Sequence, residues 1–220
     1  PAGSPADVRE KLAIGVASGN MEQSQTFDLT LGEPTPLAGL VVDDRGEPVA
    51  NAAVGIYLLQ MGKEPQAQGL GMQIASKLLA TRTDAAGRFS FPNLPAGASA
   101  ELVVSKPGRA TVCTFKPSSY HGQTLQYSVG RTDLHVVQPV ESRIEGIVVQ
   151  KDAGAPVAGI ALIVGDADNR PLDGYDQTIK SGPDGSFSIP ALPAGQYILE
   201  LLSSRRQPAE WVAAPTAVTL

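Results

Sequence analysis

Short apolar runs with a period of two, each closed by Gly, Pro or Asp, follow one another along this chain. The pattern is sharpest at Thr83–Gly97, TDAAGRFSFPNLPAG. Arg88-Phe89-Ser90-Phe91 alternates polar and aromatic residues, which predicts a strand that turns Phe89 and Phe91 to a core. Pro92 has no N–H to give a ladder, so the strand is expected to stop there. Before it, Asp84 and Gly87 hold the first and fourth places of a tight turn. An Asp side chain accepts its own turn's backbone N–H, and Gly supplies the positive φ that closes the turn. Leu94 is expected to plug the core, Pro95-Ala96-Gly97 to turn, and Ala100–Ser105 to form the next strand.

A near copy stands at Ser181–Gly195, SGPDGSFSIPALPAG. Phe187 and Ile189 take the places of Phe89 and Phe91, and Leu192 that of Leu94. Gly182 stands where Asp84 does, so Asp184-Gly185 is expected to close the second turn. The upstream halves match as well. Leu37–Val42 and Ile144–Val149 are expected to be equivalent first strands, with Gly39 matching Gly146. Glu47–Asn51 matches Ala155–Gly159, and Val54, Ile56 and Leu58 carry the following strand. Gly39 to Gly87 is a longer interval than Gly146 to Gly185, so the first copy has the longer middle. Residues 60–75 are rich in Gly and Gln without a steady period, which predicts an exposed loop, with a short helix over Met72–Leu79 as a further possibility.

Lys77–Thr83, Thr111–Phe115, Leu125–Val129 and Leu134–Val137 are the remaining strands expected of the first copy. Tyr197, Leu199 and Leu201 mark a strand in the second, and Val212 and Ala217–Leu220 close it. Pro-Ala-Gly also opens the chain at Pro1, so the first residues resemble the back half of an earlier repeat. There Gly15 and the alternation of Leu12, Ile14 and Val16 favour a strand over the rival helix Asp7–Ala17. Phe27, Leu29 and Leu31 alternate in the same way. The expected division is strands of a truncated repeat over 1–35, one repeat over 36–139 and another over 140–220. Gln138–Ser142 is a short, fairly stiff joint.

Composition narrows the class. With 42% apolar residues the chain can bury cores, and its 18 Pro and 23 Gly mark turns between strands rather than disorder. A net charge of −5 without a basic block gives no reason to expect nucleic acid. One cysteine, Cys113, excludes an internal disulfide framework. No apolar run is long enough to span a membrane.

GLVVDDRGEPVANAAV followed by TDAAGRFSFPNLPAG resembles the carboxypeptidase regulatory-like domain, and GIVVQKDAGAPVAGIAL with SGPDGSFSIPALPAG is similar to the same family. The resemblance implies an all-β chain of tandem, Ig-like or prealbumin-like Greek-key β-sandwich domains. It implies no catalytic residue and no cofactor, and it places such modules in exported or surface proteins of bacteria, outside the cytoplasm. Some similar folds hold a Lys–Asn isopeptide bond. No Lys lies on either first strand here, so that feature is not carried over.

The residues offer little chemistry of their own. His121, His135 and Cys113 lack the clustered spacing of a zinc site, and Cys113 is expected to be a small buried apolar group. Gly165–Asp176 carries Asp166, Asp168, Asn169, Asp173 and Asp176, an oxygen-rich loop of the kind calcium uses. Pro171 interrupts it and the EF-hand order is missing, so a solvated turn is the plainer reading, and Asp166, Asp168 and Asp173 are the metal candidates. There is no Gly-x-Ser-x-Gly elbow, and Asp133 beside His135 is a pair of strand neighbours rather than part of a triad. Gly69-Leu70-Gly71 lacks the rest of a phosphate loop. Trp211 and Tyr175 are the candidates for stacking on a sugar, ahead of Tyr120 and Tyr127.

The function these features favour is a non-catalytic structural or binding module, a rigid tandem spacer or protein-interaction domain of a larger exported protein. Its expected partners are other domains of the same longer chain, and possible external partners are proteins or glycans. The alternatives are a carbohydrate-binding module and a regulatory domain attached to a peptidase.

Overall fold

The computed structural model describes residues 33–61, 68–70, 78–114, 126–166, 179–202 and 213–220. Every named element among them is a strand. In chain order these are β1 (Pro34–Val42), β2 (Ala53–Met61), β3 (Gln68–Leu70), β4 (Ala80–Arg82), β5 (Arg88–Pro95), β6 (Ala98–Ser105), β7 (Val112–Cys113) and β8 (Tyr127–Ser128). They continue with β9 (Leu134–Val137), β10 (Ser142–Ile147), β11 (Ala161–Asp166), β12 (Ile179–Lys180), β13 (Ser186–Leu192), β14 (Gln196–Leu201) and β15 (Thr216–Thr219). The chain divides into two compact units, Pro1–Val104 with Leu125–Gln138, and Ser105–Thr124 with Pro139–Leu220.

In the first unit one sheet runs β5-β1-β9. The alternation of Arg88–Phe91 does what its period dictates: Phe89 and Phe91 are buried and meet edge to face, 6.2 Å apart at 67°. They join Leu37, Val41 and Leu94 from this sheet, with Val54, Ile56, Leu102 and Val104 from the sheet β3-β2-β6, which also carries β4 on β2 and β8 on β6. Two apolar faces thus close one core, the arrangement of a β-sandwich. Burial at about 25 cal/mol per Å² drives it.

The second unit repeats the plan with a sheet β10-β13 and a sheet β12-β11-β14-β15. Its core gathers Ile144, Val164, Ile189, Leu192 and Tyr197, whose hydroxyl donates to the Pro193 carbonyl at 2.7 Å. The pairing registers coincide: Gly39 faces Phe89 and Leu37 faces Phe91, as Gly146 faces Phe187 and Ile144 faces Ile189. Phe187, however, is only half-buried. Its ring lies over Gly146, where an added Cβ would come within 2.7 Å of it.

Several expectations are corrected. β5 does not stop at Pro92 but runs on to Pro95, and β13 runs through Pro190. In each pair the register shifts beside the proline, between Thr35 and Leu37 and between Ser142 and Ile144, so the missing N–H falls at a bulge where the ladder is interrupted anyway. The stretch 60–75 is not all loop. Met61 ends β2, and Gln68–Leu70 pairs back on Leu59–Met61. Cys113 is half-buried rather than part of the core. Gln138, where the first unit ends, is wholly buried, and its N–H donates to Val42 C=O at 2.7 Å. The helix considered for Met72–Leu79 lies, apart from its last two residues, outside the described residues, as do the strand and helix readings of Asp7–Ala17 and the strand at Phe27–Leu31.

Candidate functional site

The turns that open both sharp motifs are built alike from different residues. In the first, Asp84 Oδ1 accepts from the N–H of Ala86 (2.9 Å) and Arg88 (2.8 Å), and Gly87 has φ +75°. In the second, Asp184 Oδ1 accepts from Ser186 N–H (3.0 Å) and its hydroxyl (2.6 Å), with Gly185 at φ +76°. The Ser186 bonds hold the Asp184 carboxyl below the usual aspartate range.

Directly before each turn sits a hydroxyl that the sequence pattern did not single out. Thr83 Oγ1 accepts from Ala52 N–H (2.8 Å) and donates to Val49 C=O (2.6 Å). Ser181 Oγ accepts from Ile160 N–H (2.9 Å) and donates to Val157 C=O (2.7 Å). Each bridges a backbone bend that its neighbours leave unpaired. The signal was present in the repeat itself, because both copies place a hydroxyl at this one position.

A concavity of the first unit that involves candidate residues lies on the sheet β5-β1-β9, with a cavity volume of about 650 Å³. Register aligns its side chains. Leu40 is flanked by Arg88 on one side and His135 on the other, and Ala38 faces Ser90. Asp84 and Asp133 stand at its rim. Most of the charge is already engaged. Arg131 grips Asp133 through two bonds of 2.9 and 3.1 Å, which hold the carboxyl below its ordinary range and raise the guanidinium. Arg82 reaches the Asn51 carbonyl and amide oxygens at 3.2 and 3.3 Å. His135 is exposed and Asp133 turns to Arg131, so the two strand neighbours do not form a base and its orienting group. The surface is open and mixes apolar with charged side chains, suited to contact more than to proton transfer.

The other sequence candidates separate. Asp166 is not in a solvated turn: it is buried at the end of β11, paired in register with Tyr197. Asp168, Asn169, Asp173, Tyr175 and Asp176 lie outside the described residues, as do Trp211, Tyr120 and His121. Among the described residues no group of three His, Cys, Asp or Glu is placed to hold a metal ion. Tyr127 is buried, which pushes its phenol above the ordinary value, and it offers no flat face to a sugar.

Fold and site together define an all-β chain of sandwich units whose described polar groups mostly secure the backbone. Residues 36–118 match the model of the carboxypeptidase regulatory-like domain. No curated protein matches the chain in sequence. Among solved structures, a streptococcal ancillary pilin is 16% identical, with 91% of this chain and 64% of that one covered at a TM-score of 0.35. The minor pilin of Streptococcus agalactiae is 15% identical over 84% of this chain and 90% of that one, at 0.34. The major pilin of Bacillus cereus is 13% identical over 84% and 66%, at 0.32. This chain thus spans less than two thirds of the ancillary pilin's length. No helix among the described residues is long and apolar enough to cross a membrane.

Proposed function

We propose that this chain is a non-catalytic spacer that carries load within a larger exported bacterial protein, its repeats running over 36–139 and 140–220 behind strands of an earlier repeat at 1–35. One observation carries the reading. The first and last strands of the first unit, β1 and β9, lie side by side and parallel, Gly39–Val42 against Leu134–Val137. Tension entering before Pro34 and leaving after Val137 pulls these strands in opposite directions along their length. Their bonds then share the load and must fail together, whereas a hairpin pulled open at one end loses its bonds one at a time. The engaged charges of the cleft on this sheet fit a role in contact rather than chemistry.

Single-molecule pulling tests this. Handles beside Glu33 and Gln138 load β1 against β9 in shear. Handles beside Glu33 and Ala96 peel β1 from β5, whose ends meet where Pro34 faces Pro95. The expected result is a clearly higher unfolding force in shear, because forced unfolding reports the barrier met along the pulled direction. Equal forces in the two directions would sink the load-bearing reading. A hydrolytic activity lost in His135→Ala would favour an enzyme instead.

A further inference from the structure

We propose that Asp184-Gly185 is a latent modification site, which converts itself to isoaspartate when its turn opens and stays aspartate while the turn is closed. Only two Asp-Gly pairs occur in the chain, Asp173-Gly174 and this one. The second repeat creates its pair by moving the capping carboxylate. In the first repeat Asp84 opens the turn and Ala86 precedes Gly87. In the second, Gly182 opens it and Asp184 precedes Gly185, so the carboxylate stands next to the residue whose amide no side chain shields. The Gly185 nitrogen can then attack Cγ of the protonated Asp184 carboxyl, forming a C–N bond and giving up its proton. The carboxyl OH leaves with that proton as water, and a succinimide ring results. Water next adds to the ring at the former main-chain carbonyl and breaks its bond to the Gly185 nitrogen. The main chain now runs through Cβ and Cγ, one atom longer, with the freed carboxylate as a branch. No oxidant or reductant takes part.

The closed turn opposes each step. Gly185 N–H donates to Gly182 C=O at 2.9 Å, so the nucleophile is engaged. Asp184 Oδ1 accepts from the N–H and the hydroxyl of Ser186, at 3.0 and 2.6 Å. Those bonds keep the carboxyl ionised, whereas ring formation needs it protonated. Gly185 is buried at φ +76°, and its C=O takes Val148 N–H at 2.8 Å. Even a Cβ on this residue would come within 2.6 Å of the Val148 carbonyl oxygen, so the backbone has no room to rotate toward Cγ. The same packing makes the change one-way for the fold. Gly185 cannot hold both Gly182 and Val148 with an extra main-chain atom before it. The second unit then loses the turn that leads into β13.

The test incubates the full chain at neutral pH, folded in buffer or unfolded in urea. Peptide mapping with electron-transfer fragmentation follows residue 184, because aspartate and isoaspartate have equal mass but fragment differently. In urea Asp184 is expected to convert as fast as Asp173, and in the folded chain about tenfold more slowly than in urea, or slower still. Ser186→Ala removes one charge-assisted bond and is expected to raise the folded-state rate about tenfold, while Ser186→Thr, which keeps both bonds, stays near the parent. Should Ser186→Ala misfold, the folded and unfolded rates of the unaltered chain decide the matter alone. Asp173→Glu confines the reaction to one pair. After conversion in urea and refolding, that protein is expected to lose its second unfolding transition in proportion to the isoaspartate at 184, with the first intact. Equal rates in the folded and unfolded chain overturn the proposal. So does a folded Ser186→Ala protein that converts no faster than the parent, or a converted protein that regains its second transition.

Discussion

Replacing Thr83 with Val keeps the shape of a buried side chain, only 5% exposed, and removes one hydroxyl. That hydroxyl is the recorded partner of Ala52 N–H, at 2.8 Å, and of Val49 C=O, at 2.6 Å. Ala52 and Val49 are themselves buried, so water does not take over either bond. A buried backbone group left without a partner costs about 1–3 kcal/mol. Two such groups give an expected loss of about 2–6 kcal/mol for Thr83→Val, a large part of the stability of a single small unit. Thr83→Ser keeps both bonds and forfeits one methyl, about 1 kcal/mol. Ser181→Ala, where the hydroxyl is equally buried but its partners Val157 and Ile160 are only half-buried, is expected to cost about 1–2 kcal/mol. Urea unfolding followed by circular dichroism measures these losses, fitted as two transitions because the chain has two units. Hydrogen exchange at the Ala52 amide assigns the effect to its place. A Thr83→Val protein within about 0.5 kcal/mol of the parent would refute the reasoning, as would a Thr83→Ser protein harmed equally.

Gly87→Ala is expected to destabilise the first unit severely, since φ is +75° and the new Cβ would lie 2.5 Å from the Val41 carbonyl oxygen. Gly46→Ala shares the positive φ, at +83°, but meets nothing within 4 Å, and is expected to cost only about 1 kcal/mol; thermal unfolding of the two variants side by side checks the contrast. Burial raises the Tyr127 phenol, so the folded state holds its proton more tightly than the unfolded chain. The stability this contributes is fully present below the unfolded value near about 10, and is lost as pH rises through the folded value. Tyr127→Phe should flatten the alkaline end of a stability–pH profile, and an unchanged slope would count against the burial account.

The strands and turns were legible in the chain because their causes are local. A period of two selects a buried face at Phe89 and Phe91 whatever lies opposite, and Asp with Gly closes a turn from within four residues. The substitution of Asp184 for Asp84 as the capping carboxylate followed from the same local chemistry. What local chemistry does not contain is which backbone stands across the gap. Pro92 stays in its strand because the strand bulges there, with Pro92 and Asn93 together opposite the single residue Pro36 of β1. Thr83 matters because a bend some thirty residues away needs a donor and an acceptor. Val42 and Val149 occupy the same place in the same motif, yet one is covered and the other open. A distant strand, Leu134–Val137, decides that difference, and only the folded chain brings it alongside.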